Sequence, residues 1–351
     1  MLSPSMKIIL KCVLMAGTTA AALSASQMAS RSEFDAILTP FVESGRFSGV
    51  VVAARNSHAV FESAYGQAVV EWSTPNTTET KFEIASLTKQ FTGAAVLLLA
   101  QDGKLSPNDP VSRLYSEAPA TWAGITVRQL ATHTSGLPTN GIGDYPKGTA
   151  VPYTLNELLQ TFRDRPLNFP PGKNWKYTNT EYYLLAYVIE KVSGAPYAQF
   201  LQDRIFSPLK MHNSGFVPTT AVVPGKAFGY VRERGILRHR DYFDRSLEIG
   251  AGGMHTTVDD LLLWDAALSS ETLLKKEWID LMFEPSQPGT YGYGWFIDRK
   301  AGKVFHEGGD PGFSAFEIRY PERRLFVAVL ANLENAPVRD IAVQIADLLL
   351  N

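Results

Sequence analysis

The sequence predicts an α+β fold in which an antiparallel sheet, built from both ends of the chain, is flanked by helices and carries an inserted helical domain. Three observations predict it. A helix-like pattern and two strand-like runs open the chain, from about residue 34 to residue 64. Three more strand-like runs and a helix close it, from about residue 292 to residue 348. Between these parts lie short helical patterns separated by loops rich in proline and glycine.

The opening elements are a helix and a hairpin. Apolar side chains recur at helical spacing from Phe34 to Val42, and Gly45 follows as a helix end. The valine-rich run Phe47–Ala54 predicts a strand, and Ala59–Ala64 predicts its partner after a polar turn.

The next elements are helical. The run Ser86–Gln101 predicts a buried helix that stops at Gly103. In the middle of the chain, Leu184–Val192 predicts a second helix, and Thr256 is placed to cap a third.

The C-terminal part predicts a meander of strands followed by a closing helix over residues 338–348. The predicted strands are residues 292–298, 313–320 and 325–332. The resulting division is a sheet domain of residues 31–105 and 275–351, and an inserted helical domain of residues 106–274.

Residues 1–25 have the order of a secretory signal peptide. Lys7 and Lys11 precede a short uncharged run, and small residues follow it. That run is about a dozen residues, too short to span a bilayer core of ~30 Å as a helix. We therefore expect export, to the periplasm or the medium, with no transmembrane anchor after cleavage. An amphipathic N-terminal helix is the alternative.

The composition narrows the classes of function. The formal net charge is -2 and no long run of like charge occurs, so no nucleic-acid partner is expected. The only cysteine, Cys12, lies in the predicted signal peptide, which excludes a thiolate nucleophile in the mature protein. The histidines show no metal-ligand spacing such as His-Glu-x-x-His, and we expect no metal and no organic cofactor.

Ser86 and Lys89 are the first candidate site residues. Their spacing places both on one face of the predicted helix, where a desolvated lysine can take the proton of a serine hydroxyl. The spacing alone is weak, because Ser86 is equally suited to cap the helix. A second such pair, Ser207 and Lys210, is expected in a loop instead.

Two further short motifs carry candidate residues. Tyr177-Thr178-Asn179 follows a Pro-Pro-Gly loop and precedes a helical pattern. His306-Glu307-Gly308 follows a short predicted strand and precedes a turn. Taken singly, the first is consistent with a helix cap and a core tyrosine, and the second with a surface turn.

Taken together, the three motifs and their order resemble the serine β-lactamase and penicillin-binding protein superfamily. The resemblance is to the branch of class C β-lactamases, D-alanyl-D-alanine carboxypeptidases, D-aminopeptidases and related esterases, and it runs from about residue 34 to the C-terminus. Longer segments support it: Phe82–Ala85, Leu130–Pro138, Phe169–Gly172, Ala251–Gly253 with Asp260, and Pro311–Ser314.

The resemblance implies a β-lactamase/transpeptidase-like fold and hydrolysis through an acyl-enzyme. By this resemblance, Ser86 is the nucleophile, and Lys89 and Tyr177 transfer its proton. The backbone N–H groups of Ser86 and Gly309 bind the oxyanion. Asn179 binds the substrate, together with His306 and Gly308 of the third motif.

The third motif departs from the β-lactamase pattern, because His306 stands where lysine is usual and Glu307 where a small hydroxyl residue is common. If Glu307 faces the cleft, it repels a substrate carboxylate, and activity on β-lactams is weak. If strand alternation turns it away, this argument lapses.

We expect a small-molecule ester, an amide or a D-amino-acid peptide as the substrate. A β-lactamase, a slowly turning over penicillin-binding receptor and a non-catalytic scaffold are the alternatives.

Overall fold

The computed structural model describes residues 29–286 and 290–351. Its centre is a six-stranded antiparallel sheet in the order β2-β1-β12-β11-β10-β9, built from both ends of the chain as predicted. The strands of this sheet are β1 Gly49–Arg55, β2 His58–Tyr65, β9 Phe296–Asp298, β10 Lys303–Asp310, β11 Phe313–Tyr320 and β12 Leu325–Ala331. Short pairs outside it are β3 Gln67–Val69 with β4 Thr74–Pro75, β5 Phe82–Glu83 with β8 His255–Thr256, and β6 Tyr230–Glu233 with β7 Ile236–His239.

Helices cover both faces of the sheet. They are α1 Arg31–Glu43, α2 Thr88–Gln101, α3 Val111–Leu114, α4 Val127–Ala131, α5 Leu155–Arg163, α6 Asn179–Ser193, α7 Tyr197–Leu201, α8 Ser207–Leu209, α9 Val258–Leu268, α10 Lys276–Met282 and α11 Val338–Leu350. Helices α1 and α11 pack on one face, and α9 packs on the other.

The side-chain alternation of the central strands explains these two layers. In β1, Val51 points into the core that α1 and α11 share, whereas Val50 and Val52 point into the larger core that contains α2. Both faces of β1 and β12 are buried, so their sequences read as nearly continuous apolar runs.

Helix α2, which contains the candidate residue Lys89, lies in the interior of the protein. From Thr88 to Ala100 all of its residues are buried, and it packs against α6. A helix that is buried on all sides shows no polar stripe, which is why its sequence is apolar over most of its length.

Several predicted boundaries are wrong. The predicted strand 292–298 is a strand only from Phe296 onward, because residues around Gly294 lie against α2 instead: a Cβ on Gly294 would be 2.4 Å from the Cα of Gln90. The short strand predicted before the third motif is longer than expected: β10 continues through His306-Glu307-Gly308 to Asp310, and the predicted turn follows at residues 311–312. The ninth helix is capped by Thr257, one residue later than predicted.

The second Ser-x-x-Lys pair is also helical and not in a loop. Ser207 begins α8, and Lys210 ends it in the left-handed conformation with φ 60° and an exposed side chain. The two side chains form no bond with each other, and Ser207 Oγ instead accepts from Gln202.

The predicted signal peptide lies outside the described residues, and the predicted domain boundaries stay a prediction. Residues 106–274 hold α3 to α9, together with the β6–β7 hairpin and β8. Within residues 29–286 and 290–351, no helix combines the length and apolarity needed to cross a membrane.

Candidate active site

Ser86 lies in a tight turn just before α2. The prediction placed it in the first turn of the α-helix, but residues Ala85–Leu87 form a 3₁₀ turn in which the N–H of Leu87 donates to the carbonyl of Ile84 at 3.1 Å. Ala85 has a φ of +46°, a left-handed conformation that is strained for a residue with a side chain. This turn leaves Ser86 half-buried, with its hydroxyl next to the amine of Lys89.

Gly308 of β10 packs directly against this turn. A Cβ atom at Gly308 would lie 2.3 Å from the carbonyl oxygen of Ile84. At the next residue, Gly309, a Cβ would meet nothing within 4 Å. The two glycines therefore differ: Gly308 lets the strand approach the Ser86 turn, and Gly309 borders open space.

Lys89 is completely buried and makes three polar contacts. Its Nζ atom lies 3.1 Å from Ser86 Oγ, 2.8 Å from Asn179 Oδ1 and 2.8 Å from the carbonyl oxygen of Ala251. The last two oxygens can only accept hydrogen bonds. A neutral amine has two N–H groups for them, so its lone pair is left facing the Ser86 hydroxyl.

Burial lowers the pKa of Lys89 to about 7, while the carboxylates of Glu248 and Glu181 act in the opposite direction. The side chain is therefore neutral in a large fraction of molecules near neutral pH. A neutral amine beside a serine hydroxyl is the arrangement that general-base activation requires.

The ring of Tyr177 lies next to the Lys89 amine. The Nζ atom of Lys89 is 4.9 Å from the centre of the Tyr177 ring. Burial raises the pKa of Tyr177, and the nearby Ser86 hydroxyl acts in the opposite direction. Tyr177 stays protonated at neutral pH unless a partner takes its proton, which suits a group that passes a proton on.

His306 is buried beside Tyr177, with their ring centres 6.2 Å apart. Its Nδ1 atom lies 2.7 Å from the carbonyl oxygen of Glu307, and its Nε2 atom lies 2.7 Å from the Tyr291 hydroxyl. These contacts assign the Nδ1–H tautomer, with Nε2 accepting from Tyr291. Burial lowers the pKa of His306 to about 3, so it is neutral and supplies no charge to the site.

Glu307 lies on the other face of β10. Its side chain is exposed and approaches Arg339 of α11 at 3.5 Å, whereas His306 and Gly308 on either side are buried. The alternation thus turns Glu307 away from the site face, and the argument that it repels a substrate carboxylate lapses.

The buried side chains of His133 and Glu181 form a pair next to Tyr177. His133 packs against Tyr177 with ring centres 4.4 Å apart and ring planes tilted by 47°, and its Nδ1 atom contacts the carboxyl group of Glu181. Ser135 also binds this carboxyl group, through its N–H and its hydroxyl. Burial raises the pKa of Glu181 and lowers that of His133, which favours a pair without net charge.

The structure brings the predicted residues of the first two motifs together around Lys89 and places the third motif beside them. The sequence analysis missed Tyr291, Glu181 and Glu248, because their contacts join segments that are far apart in sequence. Asp260, which the family resemblance singled out, is buried and accepts hydrogen bonds from Asn213 and Ser214. Ser314 is a strand residue, as predicted, and bonds the carbonyl of Leu333.

Within the part of the chain that the structure describes, no group of three or more His, Cys, Asp and Glu residues is arranged to hold a metal ion.

Known proteins are similar to this chain over most of its length. A family model described as Beta-lactamase matches residues 34–350. Penicillin-binding protein 4* of Bacillus subtilis (strain 168) is 30% identical over 332 residues, which cover 87% of this chain and 72% of that protein. The crystal structure of a penicillin binding protein from Bacillus halodurans is 27% identical, with a TM-score of 0.79, and covers 92% of this chain and 100% of that one. A D-stereospecific amidohydrolase from Streptomyces sp., 24% identical, shares the fold with a TM-score of 0.75 over 90% of this chain and 98% of that one.

Proposed function

Because this chain belongs to the β-lactamase family, and with it to the serine hydrolases of that fold, we propose that it hydrolyses small esters or amides, D-amino-acid peptides among them, through an acyl-enzyme on Ser86. The observation that carries the proposal is the contact of Lys89 Nζ with Ser86 Oγ at 3.1 Å, with the other two acceptors of Lys89 already in place.

The first half of the reaction forms the acyl-enzyme. Lys89 takes the proton of Ser86, whose oxygen attacks the carbonyl carbon of the substrate. The oxyanion is bound by the backbone N–H groups of Ser86 and Gly309, and such donors are worth ~10²–10³ in rate where they have been removed singly. Tyr177 donates its proton to the departing alcohol or amine, and Lys89 returns a proton to Tyr177.

The second half releases the acid. Water enters where the leaving group departed, and Tyr177 with Lys89 accepts its proton as it attacks the acyl carbon. The bond to Ser86 Oγ breaks, and that oxygen takes the proton back, which restores the starting state. Asn179 holds the acyl group of the substrate, and His306 fixes the Tyr291 hydroxyl beside Tyr177.

A slowly turning over penicillin-binding receptor is the second candidate. The 30% identity to a penicillin-binding protein favours it, and the outward position of Glu307 removes the one sequence argument against a β-lactam carboxylate. It differs from the first proposal only in the rate of deacylation. Intact mass after mixing with penicillin distinguishes the two, since a receptor keeps the acyl group for hours.

The test of the main proposal is hydrolysis of a series of p-nitrophenyl esters of increasing acyl length. Ser86→Ala is compared with Ser207→Ala, the matched serine of the other Ser-x-x-Lys pair, which binds Gln202 and not Lys210. We expect turnover to vanish in the first variant and to persist in the second. Equal activity of Ser86→Ala and the wild type would show that Ser86 is not the nucleophile.

We also propose that the protein is exported, on the signal-peptide pattern of residues 1–25. N-terminal sequencing of protein recovered from the periplasm or medium tests this. An unprocessed N-terminus in the cytoplasmic fraction would contradict it.

A further inference from the structure

His133 lies in the loop after α4 in a strained backbone conformation. Its φ is +59°, in the left-handed region that residues with a side chain rarely adopt, and its side chain is completely buried. Such a conformation persists only where the surrounding contacts fix it. At His133 these contacts come from the segment around Tyr177 and from Glu181 of α6.

The backbone on both sides of Tyr177 is bound to His133. The N–H of Lys176 donates to the carbonyl oxygen of His133 at 3.0 Å, and the N–H of Thr178 faces the Nδ1 atom of His133 at 3.4 Å. Between these two contacts, the rings of His133 and Tyr177 pack with their centres 4.4 Å apart. The direction of the Tyr177 side chain therefore depends on where His133 lies.

Glu181 fixes the orientation of the His133 ring. Its Oε2 atom contacts Nδ1 of His133, and its Oε1 atom accepts hydrogen bonds from the N–H and the hydroxyl group of Ser135. Among residues 29–286 and 290–351, the Nε2 atom of His133 has no hydrogen-bond partner. The polar contacts that set the rotation of this ring are therefore the ones at Nδ1.

The proton between the two side chains belongs to Glu181. Nδ1 of His133 already faces the N–H of Thr178, so it acts as an acceptor. Burial raises the pKa of Glu181 and lowers that of His133, which favours the neutral form of both. The carboxyl O–H of Glu181 then donates to Nδ1. Glutamine can repeat this contact with its amide N–H and accept from Ser135 with its oxygen, whereas leucine can do neither.

Glu181 also belongs to the helix that begins with the second motif. It follows Tyr177 by four residues, and Asn179 at the start of α6 accepts from Lys89. We propose that His133 and Glu181 are positioning residues for Tyr177, which hold its phenol group next to the Lys89 amine, where it delivers a proton to the leaving group. The inference rests on the proposed function, because it needs Tyr177 as that proton donor.

The experiment compares the methyl ester and the p-nitrophenyl ester of one acid. Departure of methoxide needs a proton, whereas p-nitrophenolate leaves without one. The readout is the ratio of kcat/KM for the methyl ester to kcat/KM for the p-nitrophenyl ester. A substitution that acts only on Ser86, on Lys89 or on the folded fraction changes both values equally, so the ratio reports proton delivery by Tyr177.

Three variants separate the hydrogen bonds of Glu181 from general effects of burial. Glu181→Leu removes these bonds, Glu181→Gln keeps them, and Glu317→Leu makes the same change at a fully buried glutamate whose partner is Gln90. We expect Glu181→Leu to lower the ratio roughly ten- to hundredfold, since a displacement of about 1 Å at a reacting group costs that much. Glu181→Gln and Glu317→Leu should keep the wild-type ratio.

His133→Asn tests the other member of the pair, and it serves if Glu181→Leu does not fold. Asparagine tolerates the left-handed backbone conformation, and its side-chain oxygen can accept from Glu181. It lacks the outer part of the ring, which packs against Tyr177. We expect this variant to lower the ratio as well, and a wild-type ratio would contradict the role of the ring.

A double variant distinguishes positioning of Tyr177 from any other effect. In Tyr177→Phe there is no phenol proton to deliver, so adding Glu181→Leu should not lower the ratio further, as is expected of two residues that act through one group. A further loss equal to that in the wild-type background would overturn the inference. So would a wild-type ratio in Glu181→Leu, which would mean a structural role only.

Failure of the proposed function gives a different result. If Tyr177→Phe keeps the wild-type ratio, Tyr177 is not the proton donor, and the inference fails with that role. If Tyr177→Phe lowers the ratio but Glu181→Leu and His133→Asn do not, the proposed function stands and only the inference fails.

Discussion

The Nζ atom of Lys89 lies 3.1 Å from the Oγ atom of Ser86, and two carbonyl oxygens occupy its remaining donor directions. Because of this geometry, the reaction depends on whether the amine of Lys89 is charged or neutral. As an ammonium, Lys89 only donates to Ser86. As a neutral amine, it can take the serine proton.

The first prediction is therefore an acidic limb in the pH profile of kcat/KM. Burial lowers the pKa of Lys89 to about 7, and the active form is the deprotonated one, so kcat/KM should rise tenfold per pH unit below about pH 7 and level off above it. Glu248→Gln removes a carboxylate that raises this pKa, so the limb should move to lower pH. The measurement is kcat/KM for a neutral ester from pH 5 to 9, with circular dichroism as the control for folding. A profile that is flat down to pH 5 would contradict this role for Lys89.

The second prediction concerns Tyr177 and the leaving group. Tyr177→Phe keeps the ring that packs against His133 but removes the transferable proton. We expect kcat/KM, which reports acylation and not the deacylation step that both esters share, to fall by ~10²–10⁴ for methyl esters, whose alkoxide needs a proton to depart. The loss should be much smaller for p-nitrophenyl esters, since p-nitrophenolate leaves without one. The check is kcat/KM for both ester types in both proteins, and equal losses would argue for a structural effect only.

The third prediction tests the packing of β10 against the Ser86 turn. In Gly308→Ala, the added methyl group would lie 2.3 Å from the carbonyl oxygen of Ile84, so the Ser86 turn must shift. A displacement of about 1 Å at a reacting atom can cost ~10² in rate, and we expect a loss of that order in kcat.

The control for this variant is Gly124→Ala. A Cβ at Gly124 meets its nearest neighbour, Pro171, at 3.8 Å, an ordinary contact. It should keep wild-type kcat. Full activity of Gly308→Ala would show that the turn tolerates the displacement.

Much of this molecule could be predicted from local sequence patterns. The nearly continuous apolar runs of β1, β12 and α2 correspond to the observed elements, because burial acts on each segment separately. The family resemblance depended on sequence segments such as those around Ser86 and Tyr177, and the similarity to known proteins of the family confirms it.

The sequence could not predict what depends on contacts across long separations. His133 and Glu181 are 48 residues apart and meet only in the folded chain. Residues before Phe296 look like a strand, yet Gly294 fits closely on α2 and leaves the sheet. The outward direction of Glu307 required the register of β10 with its neighbours. Each of these is set by packing between elements, about which spacing within one element says nothing.

The last prediction concerns stability, at a buried carboxyl group away from the nucleophile. Glu317 of β11 is fully buried, accepts a hydrogen bond from Gln90 through Oε1, and has no partner for Oε2 among the described residues. Burial raises the pKa of Glu317 to about 8. Between its ordinary pKa and about 8, the unfolded chain has lost this proton while the folded protein keeps it. The folded state then binds more protons, so this group lowers the free energy of unfolding as pH rises.

Glu317→Gln removes that ionisation and keeps the shape of the side chain. Relative to the wild type, its free energy of unfolding should therefore rise by about 3 kcal/mol between pH 5 and pH 8, at 1.36 kcal/mol per unit of pKa shift. Urea denaturation of both proteins at the two pH values measures this difference, with Glu322→Gln, an exposed glutamate three residues beyond β11's Arg319, as the control that should show none. A difference that is the same at pH 5 and pH 8 would mean that Glu317 is already ionised in the folded protein, stabilised by Gln90 and by the nearby Arg319.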